Sequence, residues 1–342
     1  RTRDELKDVI NIISTISLFT LAIVSLLFLI GNRIFTDLFG FSSIFQILAL
    51  LICFFQVFNF LNLEIWRLEE KPIKYGVYSF GIALLNFLLS MLLIVSLKMD
   101  WTGRVYAQTT ITFLFFLISI VFLVHRKYLV VKKVNIPLLK ETLSFGIPLI
   151  PHQISGWIRQ GIDRYIINFF VGSYAVGLLS FAFNFANIIH IIGRAFNASN
   201  SVFIYKNLRN DNVQIRKKIL RQTYFMCLLF MLVTILVLVS SYILIPYIFP
   251  KYIWSIPFLF PLCIGAFFQC VYYLFVNYLF YFKKTKGLMS ITISVSILHF
   301  LLSFIFTRYG TLYTAYITLF SNFAICVLVI LYSQKLYPLF KY

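Results

Sequence analysis

The chain has 342 residues, 61% of them hydrophobic and only 12% charged, with a formal net charge of +19. A soluble domain is about half apolar and a quarter charged, so these proportions exclude one and call for a polytopic membrane protein. The basic surplus lies mostly between apolar runs, which argues against a nucleic-acid partner, and the five cysteines sit inside such runs without a C-x-x-C pair, which leaves metal and disulfide readings unsupported.

The opening RTRDELKD carries neither a methionine nor a signal-peptide pattern, and reads as a fragment or processed chain that begins just ahead of a transmembrane helix. Ten spans are predicted, at 9–30, 44–63, 76–97, 104–124, 146–170, 174–198, 219–245, 256–281, 287–306 and 312–333. Each is near the ~20 residues a bilayer requires. The connection His125–Phe145 is basic and proline-containing, and suggests a division into a four-helix bundle (1–125), a cytoplasmic basic linker (126–145) and a six-helix bundle (146–342). The predicted class is all-α, about ten helices in two bundles.

Counting Lys and Arg in alternate segments places 22 on one side and five on the other, the five being Arg33, Lys98, Arg104, Lys251 and Arg308. That bias makes both termini cytoplasmic. Trp66, Trp101, Trp157 and Trp254 fall near predicted span ends as interfacial anchors. Pro246, Pro250, Pro257 and Pro261 bracket the turn between the seventh and eighth spans, where helix termination is the plainer reading and a gating kink the alternative.

Three arginines remain, Arg159, Arg164 and Arg194, all inside spans. At 100° per residue, His152, Ser155, Arg159 and Asp163 share one narrow sector of the fifth span. Gln153, Gln160, Arg164 and Asn168 form a second stripe beside it, and apolar residues fill the far side. The sixth span repeats the pattern with Ser180, Asn187, Arg194 and Ser201, with His190 and Asn197 nearby. Ionisable groups at membrane depth usually mark a substrate or ion path. Arginine suits phosphate because its planar fork donates two parallel hydrogen bonds and keeps its proton. The candidate cavity set is therefore Arg159, Asp163, Arg164, Arg194, His152, Gln160 and Asn187, facing an anionic substrate. A bracing Arg159–Asp163 pair and a snorkelling Arg194 remain open as structural readings. His152 and His190 are candidates for proton coupling, against the plainer reading of hydrogen-bonded rings, and His299 stands alone on an apolar helix. There is no Gly-rich phosphate loop, nucleophile–base spacing or metal-ligand cluster, so neither an enzyme nor a cofactor is expected.

The string FGIPLIPHQISGWIRQGIDRYIINFFVGSYAVGLLSFAFNFANII resembles the start of the second half of bacterial lipid-linked oligosaccharide flippases, the O-antigen and capsule exporters of the multidrug/oligosaccharidyl-lipid/polysaccharide superfamily. Gly146, Pro148, Pro151, Ser155, Gly156, Trp157, Asp163, Arg164, Gly172, Gly177 and Ser180 match the family pattern, as Arg67 in EIWRLEEKPIKY matches its earlier charged stretch. Gly146, Pro148, Pro151, Gly156 and Gly177 are carried over as structural motif positions. The resemblance implies a twelve-helix exporter fold, here without its first two helices. It also implies an alternating-access transporter in the bacterial cytoplasmic membrane, turning undecaprenyl-diphosphate-linked oligosaccharide to the outer leaflet. A coupling ion (H+ or Na+) and a polymerase of the same pathway are candidate partners on the same ground. Two other functions compete. A membrane polymerase or ligase would be expected to carry a large outward loop, which is missing. A drug/cation antiporter on the same fold would want an acidic or neutral aromatic cavity, which the arginines disfavour. A scaffold without transport would leave the arginine stripes unexplained.

Overall fold

The computed structural model describes residues 3–39, 42–129, 135–209 and 212–341, and every regular element among them is helical. Eleven α-helices follow in chain order: α1 (Arg3–Phe39), α2 (Ser43–Leu68), α3 (Pro72–Met91), α4 (Asp100–His125), α5 (Ile136–Gly146), α6 (Leu149–Phe170), α7 (Ser173–Leu208), α8 (Val213–Ile248), α9 (Ile256–Tyr281), α10 (Thr285–Phe306) and α11 (Thr311–Leu336). A π-helical turn at Leu92–Ser96 prolongs α3, and a 3-10 turn at Pro250–Ser255 leads into α9. Among the described residues, nine helices are long and apolar enough to cross a membrane. The tenth expected span folds as α6, which is long enough at 22 residues but carries Arg159, Asp163 and Arg164 within one stretch. The outer faces of the spans expose large apolar side chains such as Leu29, Phe80 and Phe169, as lipid-facing surface requires. The fold is a polytopic, all-helical membrane fold.

The chain separates into two compact units, Arg1–Thr142 and Leu143–Tyr342. In the first, α2 packs against α1, α3 and α4. Its buried centre is polar but uncharged. The Tyr78 hydroxyl lies 2.9 Å from Asn59 Oδ1 and donates to the Phe115 carbonyl oxygen at the same distance, with Ser119 Oγ 2.5 Å away. Asn59 Nδ2 donates to the Thr112 carbonyl at 3.2 Å, and Asn62 Nδ2 to Ser119 Oγ at 3.4 Å. Trp66 is buried here against Tyr78 and Phe122 rather than standing at an interface.

At the end of this unit, Glu69 gathers Arg126 Nη1 at 3.0 Å, Lys71 and Tyr128. Burial alone would push its carboxyl up, but the Lys71 hydrogen bond and the Arg126 and Lys71 charges outweigh it and hold it below the ordinary 4.5. Helices α2 and α4 stop in the same way. Glu70 and Lys127 adopt left-handed φ of 54° and 58°. The next amide then reaches back five residues, Lys71 N to Trp66 O at 2.9 Å and Tyr128 N to Leu123 O at 2.8 Å. Lys283 repeats this after α9 in the second unit, with φ of 55° and Lys284 N to Leu279 O at 2.8 Å.

In the second unit α9 is the central helix, packed against α7, α8 and α11, with 17 of its 26 residues buried. The α7–α9 seam is tight because Gly193 offers no side chain: a Cβ there would lie 2.2 Å from Cys270 Sγ. Helix α6 lies along α10 and touches α11.

Three expectations change. The fifth span does not run unbroken from Gly146: α5 ends there, a turn follows, and α6 begins at Leu149 with Pro148 as its N-cap. Pro151 then falls in the first turn of α6, where an amide would have no helical partner anyway. The linker 126–145 contains the helix α5, begun by Asn135 Oδ1 accepting from Leu138 N at 3.2 Å, while its 130–134 stretch with Lys132 and Lys133 lies outside the described residues, as does Arg1. Helices α7 and α8 are 36 residues each, about 54 Å by helical rise, well past the ~30 Å apolar layer. Hydropathy registers only the part inside that layer, so the sequence pattern places their basic ends in loops.

Candidate functional site

The two stripes of α6 have opposite fates. The first turns inward and bonds at every level. His152 Nδ1 sits 3.1 Å from Thr292 Oγ1 and its Nε2 3.4 Å from the Tyr272 hydroxyl. Ser155 is buried, and its carbonyl accepts from Ser296 Oγ at 2.9 Å. Arg159, only 3% exposed, donates from Nη1 to Asn322 Oδ1 at 2.8 Å, while its Nε has no partner. Asp163, 4% exposed, is held through both carboxylate oxygens. Oδ1 accepts from Ser303 Oγ at 3.0 Å and lies 3.0 Å from His299 Nε2. Oδ2 accepts from Thr318 Oγ1 at 3.1 Å. Arg159 and Asp163 thus share a face, as their spacing predicts, yet each bonds to another helix rather than to the other. Buried charge at this depth is tolerable only with such partners.

The second stripe points away from the unit's core. Gln153, Gln160, Arg164 and Asn168 are all exposed. On α7, Arg194 is exposed and Asn187 half-buried, while His190 is buried with Nδ1 unpartnered and within electrostatic reach of Arg194 and Arg159. Asn197 Oδ1 accepts from Asn277 Nδ2 at 2.8 Å, tying α7 to α9. Neither Arg164 nor Arg194 has a hydrogen-bond or ion-pair partner among the described residues. A Cβ at Gly146, Gly156 or Gly177 would meet no heavy atom within 4 Å, so packing inside the chain does not demand glycine there. Gly172, with φ +113°, is different, because only glycine reverses the chain comfortably in that conformation.

Sequence reasoning missed the partners: Tyr272, Thr292, His299, Ser303, Thr318 and Asn322. A signal was present. His299 and Ser303 are four apart on α10, and Thr314, Thr318 and Asn322 are four apart on α11, so each helix carries a polar row complementary to α6. No group of three or more His, Cys, Asp or Glu able to hold a metal occurs among the described residues.

No family model matches the sequence, and no curated protein matches it either. Solved structures do. The chain resembles the outward-facing conformation of a multidrug resistance MATE family transporter of the MOP superfamily, at a TM-score of 0.74 and 16% identity over 97% of this chain and 79% of that one. It resembles a Vibrio cholerae MATE transporter in its bent form at 0.71 and 15%, over 96% and 78%. A MOP superfamily transporter from Pyrococcus furiosus, described as having a binding pocket of reverse polarity that suggests a different function, aligns at 0.68 and 14%, over 98% and 80%. Identities this low carry architecture and nothing finer: the helical fold of this chain is the one seen in MATE transporters of the MOP superfamily.

Proposed function

We propose that the chain is a membrane transporter for an anionic, sugar-bearing lipid, turning undecaprenyl-diphosphate-linked oligosaccharide from the cytoplasmic to the outer leaflet of a bacterial cytoplasmic membrane by alternating access. The fold is compatible with this, and the observation that carries it is the pair of exposed, unpartnered guanidinium groups of Arg164 and Arg194 on consecutive helices. Burying or lining a membrane path with uncompensated positive charge is costly unless an anion visits it.

Their depths differ. Arg164 lies six residues before the end of α6 and Arg194 21 residues after the start of α7. Helical rise separates them by roughly 20 Å along the membrane normal. One diphosphate cannot meet both at once. It can meet them in turn, first Arg194 at the level where α6 begins, then Arg164 near the α6–α7 turn. With both chain termini cytoplasmic, that order runs outward. Gln160 and Asn187 would hydrogen-bond sugar hydroxyls, while Arg159, Asp163 and His152, turned inward, hold α6 in place.

Complementation of a flippase-null strain tests this by surface polysaccharide. Arg164→Ala and Arg194→Ala should each cut export roughly tenfold or more with normal membrane insertion, and lysine should restore part of it. Full export by the double alanine variant sinks the proposal. The second reading, a drug antiporter, draws on the description of one neighbour as a multidrug resistance transporter. It predicts instead that the chain protects cells from cationic drugs.

A further inference from the structure

We infer that the end of the second unit where α7 stops and α8 starts is a docking surface for the headgroups of anionic phospholipid. This unit carries positive charge that nothing inside it offsets. From Asn212 to Tyr342 the sequence holds eleven Lys and Arg and no Asp or Glu. Its two carboxylates come earlier: Asp163 is engaged from α10 and α11, and Asp211 lies outside the described residues. The first unit differs, because Glu69 there meets both Arg126 and Lys71.

Helix α8 shows at what depth the charge stands. Lys217 and Arg221 begin a stripe that continues through Tyr224, Leu228 and Ile235 to Tyr242, all within one sector about 60° wide at helical geometry. Every one of these residues is exposed, while Ile219, Thr223 and Phe230 on the other side of the helix are buried. The stripe is apolar between the two tyrosines and basic beyond Tyr224. Tyr224 and Tyr242 are separated by roughly 27 Å of helical rise, close to the ~30 Å apolar layer, and tyrosines settle at its two interfaces. Arg221 then lies roughly 4.5 Å past the tyrosine level and Lys218 roughly 9 Å. Those depths fall in the headgroup layer or within one screening length of its phosphates.

The neighbouring helix joins the surface. Lys218 Nζ packs over the Phe203 ring of α7, 5.4 Å from its centroid, and Arg209, also exposed, caps α7. Among the described residues, Arg209, Lys217, Lys218 and Arg221 have no ion-pair partner. The first turn of α8 carries no acid, so these cations near the positive end of a helix dipole increase the demand for an anion. A basic stalk standing free in water would suit an acidic protein. A basic stripe continuous with lipid-facing surface meets the bilayer instead. Phosphatidylglycerol keeps the negative charge of its phosphate, whereas the amine of a zwitterionic headgroup cancels it, so the preference follows lipid charge.

The test follows thermal unfolding of the purified full chain in mixed micelles. Phosphatidylglycerol should raise the midpoint, and phosphatidylcholine at the same total lipid should not. Arg221→Gln should raise the phosphatidylglycerol needed for half the effect by roughly fivefold, and Lys217→Gln/Lys218→Gln/Arg221→Gln by about tenfold or more. Removing two charges at the opposite end, with Lys251→Gln/Arg308→Gln, should leave the response unmoved. Should the triple variant not fold, the charge-keeping Lys217→Arg/Lys218→Arg/Arg221→Lys must retain the full response while Arg221→Gln loses its share. Equal stabilisation by the two lipids, or an unchanged response in Arg221→Gln, overturns the surface. Polyglutamate that stabilises the chain in phosphatidylcholine as well as phosphatidylglycerol does would assign the face to a soluble acidic partner and overturn it too. No transport is measured, so this result and the arginine test fail independently.

Discussion

Two buried polar centres, one in each unit, meet the same demand by different means. In the first unit Tyr78, Asn59, Asn62 and Ser119 hydrogen-bond to one another and to backbone without any charge. In the second, Arg159 and Asp163 bring formal charge into the interior and are met by Asn322, His299, Ser303 and Thr318 from two other helices. A neutral centre fixes helix register at modest cost. A charged one fixes register too, but at the greater cost of desolvating formal charge, so losing one of its members should hurt more.

The sharpest way to break this contrast is to remove one member from each centre. Asp163→Ala strands three donors and leaves Arg159 as uncompensated buried charge, and should cost about 3 kcal/mol or more. Tyr78→Phe removes one hydroxyl from a neutral network and should cost about 1 kcal/mol. Equal losses in thermal or denaturant unfolding of the two variants would erase the distinction. A smaller effect concerns the helix stops common to both units. Lys127→Gly relieves a left-handed residue and should raise stability by about 0.5–1 kcal/mol, read as a higher unfolding midpoint.

The smallest lies at Glu69. Its folded carboxyl is held below the ordinary value, so its contribution is present above pH 4.5 and fades as pH falls through the depressed value. Glu69→Gln should cost about 0.5 kcal/mol near neutral pH and nothing once the wild-type carboxylate is protonated. A cost that persists in acid would place the effect in packing instead.

The spans were legible because apolar runs and basic loops alternate, and the α6 stripe was legible because helical geometry alone decides which residues share a face. Which stripe turns inward was not, since that depends on complementary rows on α10 and α11 that come more than a hundred residues later. His299 illustrates the limit: beside Phe300 and Leu298 it reads as isolated, and only folding sets it against Asp163. Trp66 failed for the opposite reason. The interfacial rule reads its place near a span end, whereas Tyr78 and Phe122 draw its indole into the core.

Between Phe170 and Ser173 the chain has only Val171 and Gly172 in which to reverse, and the amides of both fold back onto the Ile167 carbonyl, at 2.8 and 3.0 Å. With so short a corner, a tilt of α6 carries α7 with it in the alternating-access cycle proposed above. On that proposal Arg164 and Arg194 would move together, one near each end of the path.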